Sequence, residues 1–161
     1  MKFNVLICAR GGSKGLKDKN IKLFAGKPLI SWTILLAKKI KDVEGVYVST
    51  DSQKIANISK KYGANVPFLR PKNLARDSSS EWDAWRHTLN FFSKKNIHTD
   101  GLIILPATSP LRRLSDINKC INAFKKKKCT IICITNSYRN PYYNMVTQKK
   151  FCKLFNFKKK Y

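Results

Sequence analysis

Residues 3–15 read FNVLICARGGSKG, a short apolar run followed at once by a basic, glycine-rich segment. The run Phe3–Cys8 has strand length, because an apolar stretch of about four to eight residues bounded by turn residues is typical of a buried β-strand. It leads directly into Arg10, without the long apolar region and small-residue cleavage site of a signal peptide. We therefore interpret it as the first strand, with a loop at its carboxyl end.

The chain beyond this strand alternates amphipathic stretches with short apolar runs, and the hydrophobic period changes between 3.6 and 2. The predicted elements are a helix over 28–40, a strand over 45–49, a helix over 52–62, a helix over 80–94, a strand over 102–105, a helix over 115–126 and a strand over 130–134. This order predicts an α/β fold with a mostly parallel sheet flanked by helices.

Local signals support three of these elements. Pro28 suits the first turn of a helix, and Ser52 suits an N-cap. Leu102–Leu105 is apolar at every position, which indicates a strand buried on both faces. The last stretch, 136–161, resembles an irregular segment and an incipient hairpin.

The composition bounds the class of protein. With 161 residues and 43% hydrophobic content, one compact domain is expected. No apolar run approaches the ~20 residues of a membrane-spanning helix, so we expect no membrane partner. The five cysteines are an odd number without a CxxC pair, which favours a reducing cytoplasm. Cys129 directly precedes the predicted strand 130–134 and Cys133 lies in it, and we interpret both as core residues rather than zinc ligands.

The charge is strongly basic, with 33 Lys and Arg against 9 Asp and Glu and a net charge of +24. Such an excess first suggests nucleic acid. Only seven of the basic residues are Arg, however, and the Lys residues are scattered along the chain. Specific recognition of bases favours clustered Arg, so we predict no specific nucleic-acid partner and interpret most of the charge as solvated surface. An enzyme for anionic substrates would use such a field for steering.

The loop after the first strand carries the clearest chemical signal. Its three glycines free the backbone to turn N–H groups toward an anion, while Arg10, Lys14 and Lys19 supply full charges. A triphosphate needs this combination. The segment matches neither the Walker pattern nor GxGxxG, so it predicts neither a P-loop nor a dinucleotide fold. The alternative is a basic surface turn.

Three later loops also place polar groups where ligands bind in an open parallel sheet. Ser49–Asp51 would suit a ribose or a plain helix cap. Arg70 and the serines 78–80 precede a predicted helix, and the segment 106–112 holds a stiff turn and an Arg. Turn chemistry alone would explain each loop taken singly.

The words ARGGSKG, GKPLI, VSTD, VPFLRP, DSSS and TSPLR, in this order, resemble the acylneuraminate (sialic acid type) cytidylyltransferases, or CMP-sugar synthetases. The resemblance runs from Leu6 to about Arg139. It implies a Rossmann-like fold of the nucleotide-diphospho-sugar transferase type. It also implies transfer of CMP from CTP to a nine-carbon 2-keto sugar acid of the sialic, legionaminic or pseudaminic type, with release of pyrophosphate. Mg²⁺ as cofactor, a cytoplasmic location and a homodimer of the full-length form are further implications.

The resemblance also assigns roles to individual residues. CTP binding falls on Arg10, Gly11, Gly12, Ser13, Lys14, Asn20, Arg70 and Ser79. Lys19 and Arg139 are the expected catalytic residues, and further substrate contacts fall on Thr108, Ser109 and Arg112. No general base is assigned, because the only histidines, His87 and His98, are interpreted as structural or surface residues.

Two departures limit what the resemblance implies. The family often has Pro where Cys8 stands and Gln where Pro106 stands, so an amide that would contact ligand is missing. The acidic residues that the family uses for Mg²⁺ lie beyond the matched part, and no Asp or Glu follows Asp116. Near the predicted site we expect only Asp18 and Asp51 as carboxylates, and hence no metal ligands in this chain.

We accordingly expect residues 1–161 to be a single nucleotidyltransferase domain, incomplete at its carboxyl end. The alternatives are a catalytically incomplete CTP-binding fragment and a basic nucleic-acid-binding module. Exposed aromatic side chains interleaved with clustered Arg would favour the second alternative.

Overall fold

The centre of the fold is a parallel three-stranded sheet in the order β4-β1-β5. The computed structural model describes residues 1–127, and the predicted strand 130–134, the terminal segment 136–161 and Arg139 lie outside the described residues. The strands are β1 (Phe3–Cys8), β4 (Val43–Ser49) and β5 (Gly101–Ile104). A parallel sheet with helical crossovers confirms the predicted α/β class.

The register aligns the carboxyl ends of the strands. Cys8 of β1 lies opposite Ser49 of β4, and Leu6 lies opposite Ile104 of β5. Because β1 is paired on both sides, the loops that follow all three strands begin at one edge of the sheet. This edge is where ligands bind in open α/β sheets.

Residues 1–127 contain four α-helices, and each lies within a few residues of its prediction. They are α1 (Leu29–Ala37), α2 (Gln53–Lys61), α3 (Glu81–Lys94) and α4 (Leu114–Lys127). Ser52 caps α2 as predicted, since its hydroxyl accepts a hydrogen bond from the Ile55 N–H. Ser80 caps α3 in the same way through the Trp82 N–H. Pro28 is the N-cap residue of α1 and therefore precedes the first turn instead of lying in it.

A two-stranded hairpin precedes α1 and is absent from the sequence prediction. It pairs β2 (Leu23–Phe24) with β3 (Lys27–Pro28). Its two turn residues both have positive φ, 46° at Ala25 and 79° at Gly26, which is the conformation that a tight two-residue turn requires. Two-residue strands are too short to show a period of 2, and Ala is an uncommon residue at positive φ. The sequence signal was therefore weak.

The segment 65–70, which no predicted element covers, extends the sheet beyond β4. Asn65 forms a parallel bridge with Tyr47, and Leu69 forms one with Thr50. Pro67 in the segment cannot donate a backbone hydrogen bond, which limits the segment to isolated bridges at an edge. This pairing brings Arg70 to the same edge as the loop after β1.

The core lies mainly between one face of the sheet and helices α1, α2 and α4. Val5 and Ile7 are fully buried there with Ile30 and Ile34 of α1. Leu6 is equally buried on the opposite face of β1, as the alternation of side chains in a strand requires. The residues of β5 are only half-buried, so the prediction that this strand is buried on both faces was wrong for the described residues. No helix within residues 1–127 is long and apolar enough to cross a lipid bilayer.

A matched pair of leucine substitutions tests the central position of β1. Leu6→Ala should lower the free energy of unfolding by about 2–5 kcal/mol, because it leaves a cavity beside a fully buried strand. Leu23→Ala, at a side chain that is 72% exposed, should change it by less than about 0.5 kcal/mol. Urea unfolding followed by circular dichroism measures both. Equal losses would contradict the placement of Leu6.

Candidate functional site

A cleft of about 510 Å³ lies at the carboxyl ends of β1 and β5. Its volume falls in the range of small-molecule sites. Eight residues that the sequence analysis selected line it together: Arg10, Ser13, Lys14, Lys19, Asn20, Arg70, Ser79 and Thr108. The fold thus gathers residues from three separate loops around one space.

Other selected residues do not line the cleft. Gly11, Gly12, Ser109 and Arg112 lie outside its lining. The Arg112 guanidinium donates a hydrogen bond of 2.7 Å to the Pro106 carbonyl, which holds the turn after β5. Arg112 therefore shapes the loop that carries Thr108.

Gly11 acts through its backbone within the protein. Its N–H donates a hydrogen bond of 2.9 Å to the Asp51 carboxylate, so the expectation that this N–H faces an anionic ligand was wrong. A Cβ at this position would lie 2.9 Å from the Cβ of Ser52, closer than real Cβ atoms approach. Only glycine allows this loop to approach the start of α2 so closely.

The segment Ser49–Asp51 is structural. Ser49 and Thr50 are fully buried, and the Thr50 hydroxyl accepts a hydrogen bond of 3.1 Å from the Ser52 N–H. Asp51 fixes Gly11, and Ser52 caps α2. These contacts support the loop after β1 and the start of α2.

Asn20 supports the loop from below. Its side chain is 6% exposed, and its amide donates a hydrogen bond of 3.0 Å to the Arg10 carbonyl. Asp18 adopts a left-handed conformation with φ of 55° at the start of the single turn Lys19–Ile21. These two features set the position from which Lys19 reaches the cleft.

Arg70 is the one buried cation of the cleft among the described residues, with 7% of the residue exposed. Its backbone N–H donates to the Thr50 carbonyl at 2.7 Å. Within residues 1–127 its Nε has no hydrogen-bond partner and no carboxylate oxygen lies within 4.0 Å of its guanidinium. A buried charge without an acidic partner is costly, and an anionic ligand would relieve that cost.

Cys8 borders the cleft next to this guanidinium. Burial raises the pKa of the Cys8 thiol to about 11, and Glu81 adds to the increase, while the Arg70 charge opposes it. The thiol therefore remains protonated at neutral pH. A neutral thiol at this position behaves as a small apolar wall residue.

An acidic side chain that sequence reasoning missed lies in the cleft. The Asp77 carboxylate contacts Arg10 Nη1 at 2.5 Å through Oδ1 and Lys14 Nζ at 2.6 Å through Oδ2. Hydrogen bonds from Lys14 and then Arg10 hold the pKa of Asp77 below its usual value. The expectation that Asp18 and Asp51 are the only carboxylates nearby was wrong, and Glu81 also lines the cleft.

Ser79 organises the loop that carries Asp77. Its hydroxyl donates a hydrogen bond of 2.8 Å to the Asn73 carbonyl and accepts one of 3.0 Å from the Arg76 N–H. These bonds close the segment 73–79 on itself. Ser79 lines the cleft, but its hydroxyl is already used within the loop.

The carboxylates of residues 1–127 do not form a magnesium site built from protein ligands alone. Residues 1–127 contain no group of three or more His, Cys, Asp or Glu side chains able to hold a metal ion. The Asp77 oxygens are each paired with a cation, whereas Mg²⁺ needs free oxygen ligands. We therefore derive no chemical step through a metal in this part of the chain.

The histidines occupy structural and surface positions. The ring of His87 packs edge-on against Phe68 with centroids 4.5 Å apart, and burial, followed by the charges of Arg70 and Lys94, lowers its pKa. His98 pairs with Asp100 at 3.2 Å on the surface. Neither lines the cleft.

The chain matches the model of one protein family and is similar in sequence to several known proteins. A family model described as "Cytidylyltransferase" matches residues 4–156. The chain is 38% identical over 145 residues to the post-translational flagellin modification protein B of Campylobacter coli, covering 87% of this chain and 60% of that protein. It is 36% identical over 135 residues to the CMP-N,N'-diacetyllegionaminic acid synthase of Legionella pneumophila, covering 84% and 58%. The chain thus spans about three fifths of the length of these relatives.

The fold agrees with solved structures. The structure of a CMP:2-keto-3-deoxy-manno-octonic acid synthetase complexed with CTP matches with a TM-score of 0.68 at 22% identity, over 80% of this chain and 49% of that one. At this identity the match shows the shared fold. The family model, by contrast, spans nearly the whole sequence, and the chain therefore belongs to the cytidylyltransferase family.

Proposed function

We propose that this chain binds CTP and forms the nucleotide half of an enzyme that transfers CMP to a nine-carbon 2-keto sugar acid. The observation that supports this most strongly is the convergence of Arg10, Lys14, Lys19 and Arg70 on one cleft at the carboxyl edge of the sheet. A triphosphate carries several negative charges. Helix N-termini or glycine-rich loops with nearby cations are typical of its binding sites. Family membership supports cytosine as the base of the nucleotide.

In the proposed reaction the anomeric hydroxyl of the sugar acid attacks the α-phosphorus of CTP. A bond forms between the sugar oxygen and the α-phosphorus. The bond from the α-phosphorus to the oxygen that bridges to the β-phosphate breaks, and pyrophosphate leaves. Phosphoryl transfer of this kind depends on positioning and on electrostatic stabilisation more than on a covalent catalyst. Lys14 and Lys19 would neutralise the charge that develops on the leaving pyrophosphate.

Arg70 would serve a different purpose from the loop cations. Lys14 is 82% exposed and approaches the ligand from solvent, whereas Arg70 lies at the buried wall of the cleft. A guanidinium at low local dielectric interacts with an anion more strongly than an exposed ammonium does. We assign Arg70 to the nucleotide and Thr108, after β5, to the sugar side of the cleft.

The remaining roles belong to the proposal for the whole protein. The sugar acid is of the sialic, legionaminic or pseudaminic type, Arg139 is a catalytic residue, and the full-length form is a homodimer. Mg²⁺ is part of this proposal with ligands outside residues 1–127. The cysteine pattern, five residues without a CxxC pair, supports a reducing cytoplasm as the working compartment.

Lys14→Ala tests the triphosphate site. We expect CTP affinity to fall about tenfold or more, because a charge-assisted contact to phosphate is lost. Binding to the unchanged chain should favour CTP over ATP. Isothermal titration calorimetry measures both affinities.

Lys17→Ala is the matched control for this variant. It removes the same charge from the same loop at an exposed residue that does not line the cleft. Its CTP affinity should stay within about twofold of the unchanged chain, since an exposed charge at a distance is screened by salt. Equal losses in the two variants, or equal affinity for CTP and ATP, would refute the site.

Arg70→Met separates binding from folding. The ligand-free chain should keep or gain unfolding free energy, because a buried charge without an acidic partner is replaced by an apolar side chain. CTP affinity should fall at least about tenfold, since a charged contact at low dielectric is lost. Arg86→Met, on the exposed face of α3, is the control and should leave CTP affinity unchanged. A large loss of stability in Arg70→Met would show that Arg70 is instead a structural residue.

Turnover is a separate test of the reaction. The 161 residues should bind CTP but release little pyrophosphate with sialic, legionaminic or pseudaminic acid, because the carboxylates of the described cleft are Asp77 and Glu81 alone and Asp77 is paired. The Legionella pneumophila synthase serves as the positive control. Rapid release by the 161 residues would show that the described residues hold a metal despite this pairing.

A further inference from the structure

The contact between Asp77 and the two loop cations has a consequence for which anions the cleft accepts. Each carboxylate oxygen of Asp77 is used by one cation, Oδ1 by Arg10 and Oδ2 by Lys14. All three side chains line the cleft. The same two cations are the ones assigned to the triphosphate, so this inference rests on the proposed function.

A carboxylate and a phosphate group compete for such donors. Both groups present several oxygen atoms that accept charge-assisted hydrogen bonds from guanidinium and ammonium groups. With Asp77 in contact at 2.5 and 2.6 Å, no phosphate oxygen can take its place without moving it. A phosphate that takes these same donors must therefore exchange with the Asp77 carboxylate.

We propose that Asp77 is an internal counter-ion that sets the anion specificity of the cleft. When no ligand is bound, Asp77 holds Arg10 and Lys14. Only an anion of higher charge displaces Asp77 from these two cations. A carboxylate carries one negative charge, so a polyphosphate displaces it readily, whereas inorganic phosphate gains little from the exchange. Specificity of this kind comes from a competing contact within the protein.

The surroundings of Asp77 allow this exchange. Its side chain is 45% exposed, so the released carboxylate turns into water without a large desolvation cost. The loop itself is held independently by the Ser79 hydrogen bonds to Asn73 and Arg76, none of which involves Asp77. Release of the carboxylate therefore leaves the loop intact.

Asp77→Asn tests the proposal with inorganic tripolyphosphate and with inorganic phosphate as probes. We expect tripolyphosphate to bind about three- to tenfold more tightly than to the unchanged chain, because two partly exposed ion pairs no longer oppose it. Inorganic phosphate should gain by a larger factor, so the preference for tripolyphosphate over phosphate should fall, and an equal gain for the two probes would contradict a role of Asp77 in specificity. Calorimetry at constant ionic strength measures both probes.

Two further variants control for charge and for packing. Asp83→Asn makes the same change of charge on α3, where Asp83 faces Arg86 at 3.9 Å outside the cleft lining, and should alter tripolyphosphate affinity by less than about twofold. Asp77→Glu keeps the charge and should stay near the affinity of the unchanged chain. Urea unfolding of each variant verifies that it is folded.

The outcomes are distinct. Unchanged or weaker tripolyphosphate binding in Asp77→Asn would overturn the proposal, since Asp77 would then position the cations for the ligand. The absence of tripolyphosphate binding in both forms would overturn it as well. Tighter tripolyphosphate binding without preference for CTP over ATP would support the role of Asp77 while contradicting the proposed function. In a crystal structure with tripolyphosphate, Asp77 should lie more than 4 Å from both cations, and persistence of either contact would refute the exchange.

Discussion

The pairing of β1 with a parallel strand on each side is the constraint on which the site depends. Because Phe3–Cys8 is hydrogen-bonded to both β4 and β5, the carboxyl ends of three strands lie at one edge. Side chains alternate along a strand, so a shift of one residue in this register would turn Leu6 toward the face of Val5 and Ile7. The buried residues on both faces prevent that shift. The loop cations converge because the core fixes the strand that precedes them.

The features that could be predicted from the sequence are those encoded locally. Phe3–Cys8 was predicted with its observed bounds, because an uninterrupted apolar run next to glycines leaves few alternatives. Helix α2 was predicted almost to the residue, since Ser52 and the 3.6-residue period agree. The loop after β1 was also correctly located, because its place follows from the strand order. Spacing alone was sufficient for these features.

The features that were missed depend on contacts between distant residues. The hydrogen bond from Gly11 to Asp51 joins residues 40 apart in the sequence, and no period reports such a pairing. Asp77 and Arg10 are separated by even more residues in the sequence. Asp77 also lies in a loop whose serines resemble an ordinary helix start. A weak signal did exist, since an acid in a chain with only 9 acidic residues is a preferred partner for clustered cations. The cations that Asp77 contacts could be identified only from the fold.

The charges of the cleft act at two ranges, and the distinction explains why a net charge of +24 does not by itself make a binding site. Scattered exposed lysines raise the local concentration of any anion, and physiological salt screens them over about 8 Å. That long-range attraction cannot separate CTP from nucleic acid or phosphate. In the proposed function, selection comes from two short-range features: Arg70 is buried without an acidic partner in the described chain, and Arg10 and Lys14 are in contact with Asp77. In the proposed function an anion binds most tightly when it contacts Arg70 and also displaces Asp77 from Arg10 and Lys14.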